Sequence, residues 1–123
     1  MKNSGNTKPL GDAGEDAARA LYAQKGFSLV ERNFRTHFGE VDIIVQKGDL
    51  LVFAEVKALP HGNSDVLAAE LGPRKRRKIV ETAKYFLKNN RQYSNKTIRF
   101  DVVVVGLPGF ESVHLIEDAF LDN

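Results

Sequence analysis

The chain has 123 residues, 42% of them hydrophobic and 28% charged, a size and composition that predict one globular domain able to build its own core. It contains no cysteine, which excludes a disulfide framework and a thiolate metal site. A net charge of +2 says little about a polyanionic partner, although Arg74, Lys75, Arg76, Arg77 and Lys78 form one unbroken basic run.

Residues 1–9, MKNSGNTKP, are polar and predict a flexible N-terminal tail without an apolar signal-peptide core. No apolar run approaches the ~20 residues of a membrane span, so the expectation is a cytoplasmic protein with no membrane partner. From Gly11 to Gln24 alanine is dense and apolar residues recur at Ala17, Ala18, Leu21 and Tyr22, which is helical spacing. Asp12, Glu15 and Asp16 lie in the first turns, where the helix dipole favours negative charge. Gly26 is a helix stop. Phe27–Thr36 reads as a strand, and Glu40–Gln46 and Leu50–Lys57 as stronger ones.

Pro60, Gly62, Asn63 and Gly72 mark residues 58–72 as a loop, with a helical turn at Val66–Leu71. Pro73 suits the first position of a helix running to Asn89, with Ile79, Val80, Ala83, Phe86 and Leu87 on its apolar face. Thr97–Val105 holds four consecutive valines and predicts a strand covered on both faces. Val113–Ile116 is a last short strand. The order α-β-β-β-α-β-(β) predicts a mixed α/β sheet flanked by helices. Residues 10–118 form a single domain and residues 119–123 a C-terminal tail.

The stretch GEVDIIVQKGDLLVFAEVKAL, residues 39–59, puts Asp42, Glu55 and Lys57 inside two strands built for a core. Gly48-Asp49 fits a two-residue hairpin turn with glycine first, which pairs Lys47 with Leu50. On one face Val45 then opposes Val52, Ile43 opposes Ala54 and Val41 opposes Val56. On the other, Gln46 opposes Leu51, Ile44 opposes Phe53, Asp42 opposes Glu55 and Glu40 opposes Lys57. Apolar residues segregate cleanly in this register.

Like charges directly opposed are destabilising, and burial adds to the conflict. A bound Mg²⁺ or Mn²⁺ removes it, because hard cations take carboxylate oxygens. Lys57 projects from the same face as Glu55 and could hold a water against a phosphate. Repulsion alone predicts that Glu55→Gln slightly stabilises the metal-free protein. The alternative is a solvated sheet edge with Glu40–Lys57 as a surface ion pair.

Asp42, a gap of twelve residues, then Glu55-Val56-Lys57 matches the D…(D/E)-x-K signature of the restriction-endonuclease-like nuclease superfamily. More closely, the chain resembles the YraN-like family of small bacterial proteins of uncertain function. The resemblance rests on Gly14-Glu15, Gly39–Ile44, Val52–Lys57, Lys75 to Leu87 and Arg99–Val103, and spans about residues 10–118. It implies a restriction-endonuclease-like mixed β-sheet flanked by helices. Its motif order is similar to that of archaeal Holliday-junction resolvases, which adds a glutamate on the first helix. Carried over, Glu15, Asp42, Glu55 and Lys57 are the catalytic set, with Asp42, Glu55 and Glu15 binding the metal. Without the resemblance, Glu15 reads as an acid favoured at a helix start. The family commonly has an arginine two positions after the motif lysine, where this chain has Leu59.

Arg74, Lys75, Arg77 and Lys78 occupy the first turns of a helix, where positive charge opposes the dipole. With Arg35 they are candidate phosphate contacts; the alternative is a solvated basic face. Arg32 and His37 precede the acidic motif and could also meet phosphates. Aromatics are few and not interleaved with cations as a stacking platform would require. His37, His61 and His114 lack metal-ligand spacing. Asp101, at the start of a buried strand, reads as a structural cap or pair before a support for the site. The implied function is divalent-metal-dependent hydrolysis of nucleic acid, as a resolvase-like DNA endonuclease, and junction cleavage would imply a homodimer. The alternatives are a nucleic-acid-binding module with the same fold and little turnover, and an interaction protein with a vestigial site.

Overall fold

The computed structural model describes residues 9–58, 63, 65, 67, 71–106 and 112–120. Residues 1–8 of the tail predicted at 1–9, Leu59, His61 and part of the turn at Val66–Leu71 lie outside these residues, and Pro9 belongs to the first helix instead of the tail. At that turn, the Leu67 N–H bonds to the Asn63 carbonyl at 3.0 Å and the Leu71 N–H to the Leu67 carbonyl at 3.2 Å, both helical bonds. Helix α1 spans Pro9–Gln24, and strands β1, β2 and β3 span Ser28–Arg35, Glu40–Lys47 and Leu50–Ala58. Helix α2 spans Pro73–Asn89, followed by a 3₁₀ turn at Arg91–Tyr93 and by strands β4, Thr97–Val105, and β5, Val113–Ile116. Helix α1 starts at Pro9, two residues before the expected Gly11, because proline in a first turn forfeits no helical hydrogen bond.

The five strands form one mixed sheet in the order β1-β2-β3-β4-β5. Only β3 and β4 are parallel, and α2 supplies the crossover such a pair requires. Ala18 and Tyr22 of α1 lie one turn apart and bury themselves against Ile43, Val45, Val52, Ala54 and Val103. Ile79, Val80, Ala83 and Phe86 of α2 pack on the opposite face, against Ile44, Leu51, Phe53, Phe100, Val102 and Val104. The valine run in β4 is thus divided, Val103 towards α1 and its neighbours towards α2. The core continues past residue 118, into the expected C-terminal tail. Phe120 is buried and stacks on Phe100 at 5.2 Å, and the Ala119 N–H bonds to the Phe100 carbonyl at 2.7 Å.

The β2–β3 hairpin keeps the expected register from Lys47–Leu50 to Ile43–Ala54. Gly48 has φ +56° and Asp49 a negative φ, the pattern of a type II′ turn, which places glycine first. Beyond Ile43 the expectation fails. Val41 packs in the α2-side core with Phe53 and Ile79, whereas Ile43 and Val45 face α1. The cause lies in β1, where Asn33 adopts a left-handed φ of +49°. One such residue breaks the two-residue alternation, so Arg32 turns to α1 and Phe34 to α2. Their partners Ile43 and Val41 follow. Asp42 sits at the break.

Candidate active site

Pairing between β2 and β3 ends at Ile43–Ala54, yet both strands run on. Strand β2 stays with β1 as far as Arg35–Glu40, and β3 stays with β4 as far as Ala58–Val105. The sheet forks between them. Forking leaves backbone groups on β3 without a strand partner, and the Val56 N–H is satisfied by donating to Asp42 Oδ2 at 2.8 Å. That bond gives a local reason for an aspartate inside an apolar strand.

Asp42 and Glu55 are therefore not a ladder pair, as the register predicted, but they remain electrostatic neighbours. Burial, then the Glu55 charge, pushes the Asp42 carboxyl up to about 7. The Val56 hydrogen bond opposes this, while Glu15 and Glu40 add to it. Glu55 projects towards α2 with its side chain only 6% exposed. Its Oε2 lies 3.5 Å from Lys57 Nζ and 3.3 Å from Lys75 Nζ.

Glu15 reaches the same neighbourhood from α1. The preceding residue, Gly14, is buried where a Cβ would come within 3.5 Å of Val56, so the helix approaches β3 closely. The Glu15 carboxylate accepts from Arg32 Nη2 at 3.1 Å, and Arg32 Nε is buried without a hydrogen-bond partner among the described residues. Glu40 pairs with Arg35 at 3.2 Å. Four carboxylates thus converge on the fork, each with at least one cation or backbone donor. Among the described residues, no group of three or more His, Asp or Glu side chains is arranged to hold a metal ion.

Of the basic run, Lys75 turns inward to Glu55, whereas Arg74, Arg77 and Lys78 are exposed. Helix α2 has no side-chain cap at Gly72 and no acid in its first turn, so the exposed cations stand at an electropositive helix end. Asp101 has the structural role that its position suggested. Fully buried, it accepts from Tyr22 Oη at 2.7 Å, from Arg99 through two nitrogens at 2.9 Å, and from the Asp118 N–H at 3.0 Å. Burial beside Asp101 raises the Tyr22 phenol far above its ordinary range.

Two partners of the site are not legible in the sequence. Position along the chain groups Lys75 with the phosphate contacts and does not connect Arg32 to Glu15. Nothing in a run of five cations distinguishes the one that faces the sheet.

A profile described as Uncharacterised protein family UPF0102 matches residues 14–105. The chain belongs to that family. It is 43% identical over 100 residues to a UPF0102 protein of Treponema pallidum (strain Nichols), covering 81% of this chain and 79% of the relative. It is 38% identical over 125 residues to one of Treponema denticola, covering 92% and 95%. A UPF0102 protein of Methylobacillus flagellatus is 32% identical over 113 residues, covering 92% and 97%. The UPF0102 match contains Glu15, Asp42, Glu55, Lys57 and the whole basic run. No helix among the described residues is long and apolar enough to cross a membrane.

Proposed function

We propose that this UPF0102 protein is a divalent-metal-dependent endonuclease of resolvase-like type, acting on DNA in the cytoplasm. One observation carries the reading. Buried Glu55 and half-buried Asp42 meet at a fork in the sheet, where the Val56 N–H, next to Glu55 in β3, donates to Asp42 at 2.8 Å and Lys57 Nζ lies 3.5 Å from Glu55, and burial with the Glu55 charge raises the Asp42 carboxyl. Structural carboxylates are seldom placed to repel each other, and acids perturbed by burial plus a specific charge cluster at functional sites. The order of the parts agrees with the resemblance to restriction-endonuclease-like nucleases and archaeal resolvases: helix glutamate, strand aspartate, then E-x-K. Cutting a junction takes two sites, so the proposal includes a homodimer.

The donors fit Mg²⁺ or Mn²⁺, since all are carboxylate oxygens and their repulsion is what a cation relieves. Asp42 and Glu55 would hold the ion, with Glu15 joining them once freed from Arg32. A bound ion would supply Lewis-acid polarisation of a phosphodiester and a more acidic water. The chain's own groups do the rest. Lys57 and Lys75 place two ammonium groups around Glu55, where they can bind a phosphate and stabilise charge as it develops. Lys57, two residues from Glu55 in the same strand, is the group to hold the attacking water.

The binding-only reading draws on a separate observation. Glu15 is already bound by Arg32, and no three-ligand group stands among the described residues. Cleavage of branched, flapped, duplex and single-stranded DNA with Mg²⁺ or Mn²⁺ separates the two. Metal-dependent products that disappear in Asp42→Asn support the nuclease. Salt-sensitive binding with no product on any substrate supports the binding module and overturns the nuclease.

A further inference from the structure

Along the chain the aromatics are too few to suggest a stacking platform, but the fold gathers three rings on one surface. The β1–β2 turn is closed by the Thr36 N–H to the Gly39 carbonyl at 2.8 Å, and Thr36 Oγ1 accepts from the Phe38 N–H at 3.0 Å. It sits directly on α2. A Cβ on Gly39 would come within 3.2 Å of the Lys78 Cβ and 3.4 Å of Thr82 Oγ1, so a side chain there would force the turn off the helix. Seated this way, the turn puts His37 and Phe38 beside Tyr85. Ring centroids lie 4.1 Å apart for His37–Phe38, 6.3 Å for His37–Tyr85 and 6.4 Å for Phe38–Tyr85.

These rings are not core. Phe38 is 38% and Tyr85 41% exposed, and they are two of only three large exposed hydrophobic residues among those described. Phe34 lies beneath, 6.5 Å from Tyr85 and edge-on to Phe86 at 5.1 Å, which ties the cluster to the packed interior.

Its surroundings identify the occupant. Helix α2 carries seven lysines and arginines and a single acid, Glu81, itself 3.6 Å from Lys84. Lys75, Lys78, Thr82 and Tyr85 recur at helical spacing along one side of α2. From Lys75, which holds Glu55, to Tyr85 is about 15 Å of helix axis. That is about four nucleotides of a stacked strand at ~3.4 Å each, and fewer if the strand is extended. Positive charge selects a polyanion, and open rings select one with exposed π-faces.

We propose that His37, Phe38 and Tyr85 form a stacking platform for unpaired bases of a nucleic-acid strand whose phosphates run along Lys78 and Lys75 towards the carboxylate pair. The platform narrows the substrate class to nucleic acid with a single-stranded segment. It rests on the nuclease reading for where the strand leads, but not for whether bases stack.

The test is fluorescence anisotropy in EDTA, with a labelled oligothymidylate and a blunt duplex of equal length. Phe38→Leu and Tyr85→Leu keep apolar bulk and lose the ring, and their thermal melts check folding. Each should weaken oligothymidylate binding by about tenfold, given the usual strength of base–aromatic stacking. Duplex affinity and both salt slopes should stay unchanged, because no charge is removed. Tyr85→Trp should restore binding to the oligonucleotide. If wild type binds neither probe, the nucleic-acid reading fails and the platform with it. Wild type that binds, with leucine variants that bind equally well, overturns the platform alone. Equal losses on both probes also overturn it, since they would not depend on unpaired bases. So does a self-association that the leucine variants abolish while oligonucleotide binding persists, which would make the patch a protein-docking face.

Discussion

The Val56 N–H donates to the Asp42 carboxylate at 2.8 Å, taking as its acceptor a side chain from β2 where a continued hairpin would offer a β2 carbonyl. This one bond marks where the sheet forks, orients Asp42 and keeps its carboxylate next to Glu55. It does not neutralise the charge, because burial and Glu55 together outweigh it.

Asp42 should therefore make the metal-free protein less stable as pH rises. Its folded value of about 7 lies above the ordinary 3.8, so the folded state binds more protons than the unfolded state between these values. The stabilising contribution is full below about pH 4 and lost as pH rises through about 7, for at most about 4 kcal/mol. Asp42→Asn keeps an acceptor for Val56 and removes the charge. Urea unfolding across this range should show the variant gaining on wild type at high pH, with the difference closing at low pH. A gap that does not change with pH would mean that Asp42 is not strained.

Mg²⁺ or Mn²⁺ should raise the melting temperature, by the equivalent of ~2.7 kcal/mol at a hundredfold excess over Kd. The rise should grow with pH, because the ligand carboxylates must be deprotonated. Glu55→Gln should abolish it. The structure reverses the expected effect of that substitution on the metal-free protein, since Glu55 also neutralises Lys57 and Lys75. Its loss should cost between the ~0–1 kcal/mol of exposed pairs and the ~3–5 kcal/mol of buried ones, partly offset at Asp42. An undiminished metal response in Glu55→Gln would remove Glu55 from the ligand set.

Lys57→Ala should retain the metal-induced shift and lose cleavage by about 10²–10³-fold, because an ammonium stabilises charge but cannot bind a cation. Lys75→Ala should lose less, since Lys75 stands on the neighbouring helix. Single-turnover cleavage and calorimetry on the same variants separate the two lysines. Equal rates in Lys57→Ala and wild type would give Lys57 a structural role beside Glu55 and no part in cleavage.

Arg74→Glu combined with Arg77→Glu should weaken DNA binding and flatten its salt dependence by about two units of slope, one for each phosphate that is no longer neutralised. Both side chains are exposed, so the fold should be unaffected. An unchanged slope in a salt titration would identify the basic run as a solvated surface.

The sequence alone determined the described elements of this protein and the faces of the β2–β3 hairpin from its turn to Ile43–Ala54. Apolar period, Pro73 and the Gly48-Asp49 turn placed helices α1 and α2 and strands β1–β5 to within two residues, and put Asp42 near Glu55 and Lys57. These features are local, because side-chain direction repeats with the backbone and a two-residue turn sets the register beside it. Tertiary structure decided what crosses between elements. Asn33 could be read as tolerant of a left-handed φ, but only the packed sheet shows that it adopts one and sends Val41 to the other core. Arg32 reaches Glu15, Lys75 reaches Glu55 and Phe38 reaches Tyr85 because α1 and α2 are seated on opposite faces at particular heights. Those heights are set by close packing, at Gly14 against Val56 and at Gly39 against Lys78, and no periodicity along the chain encodes the distance between two surfaces.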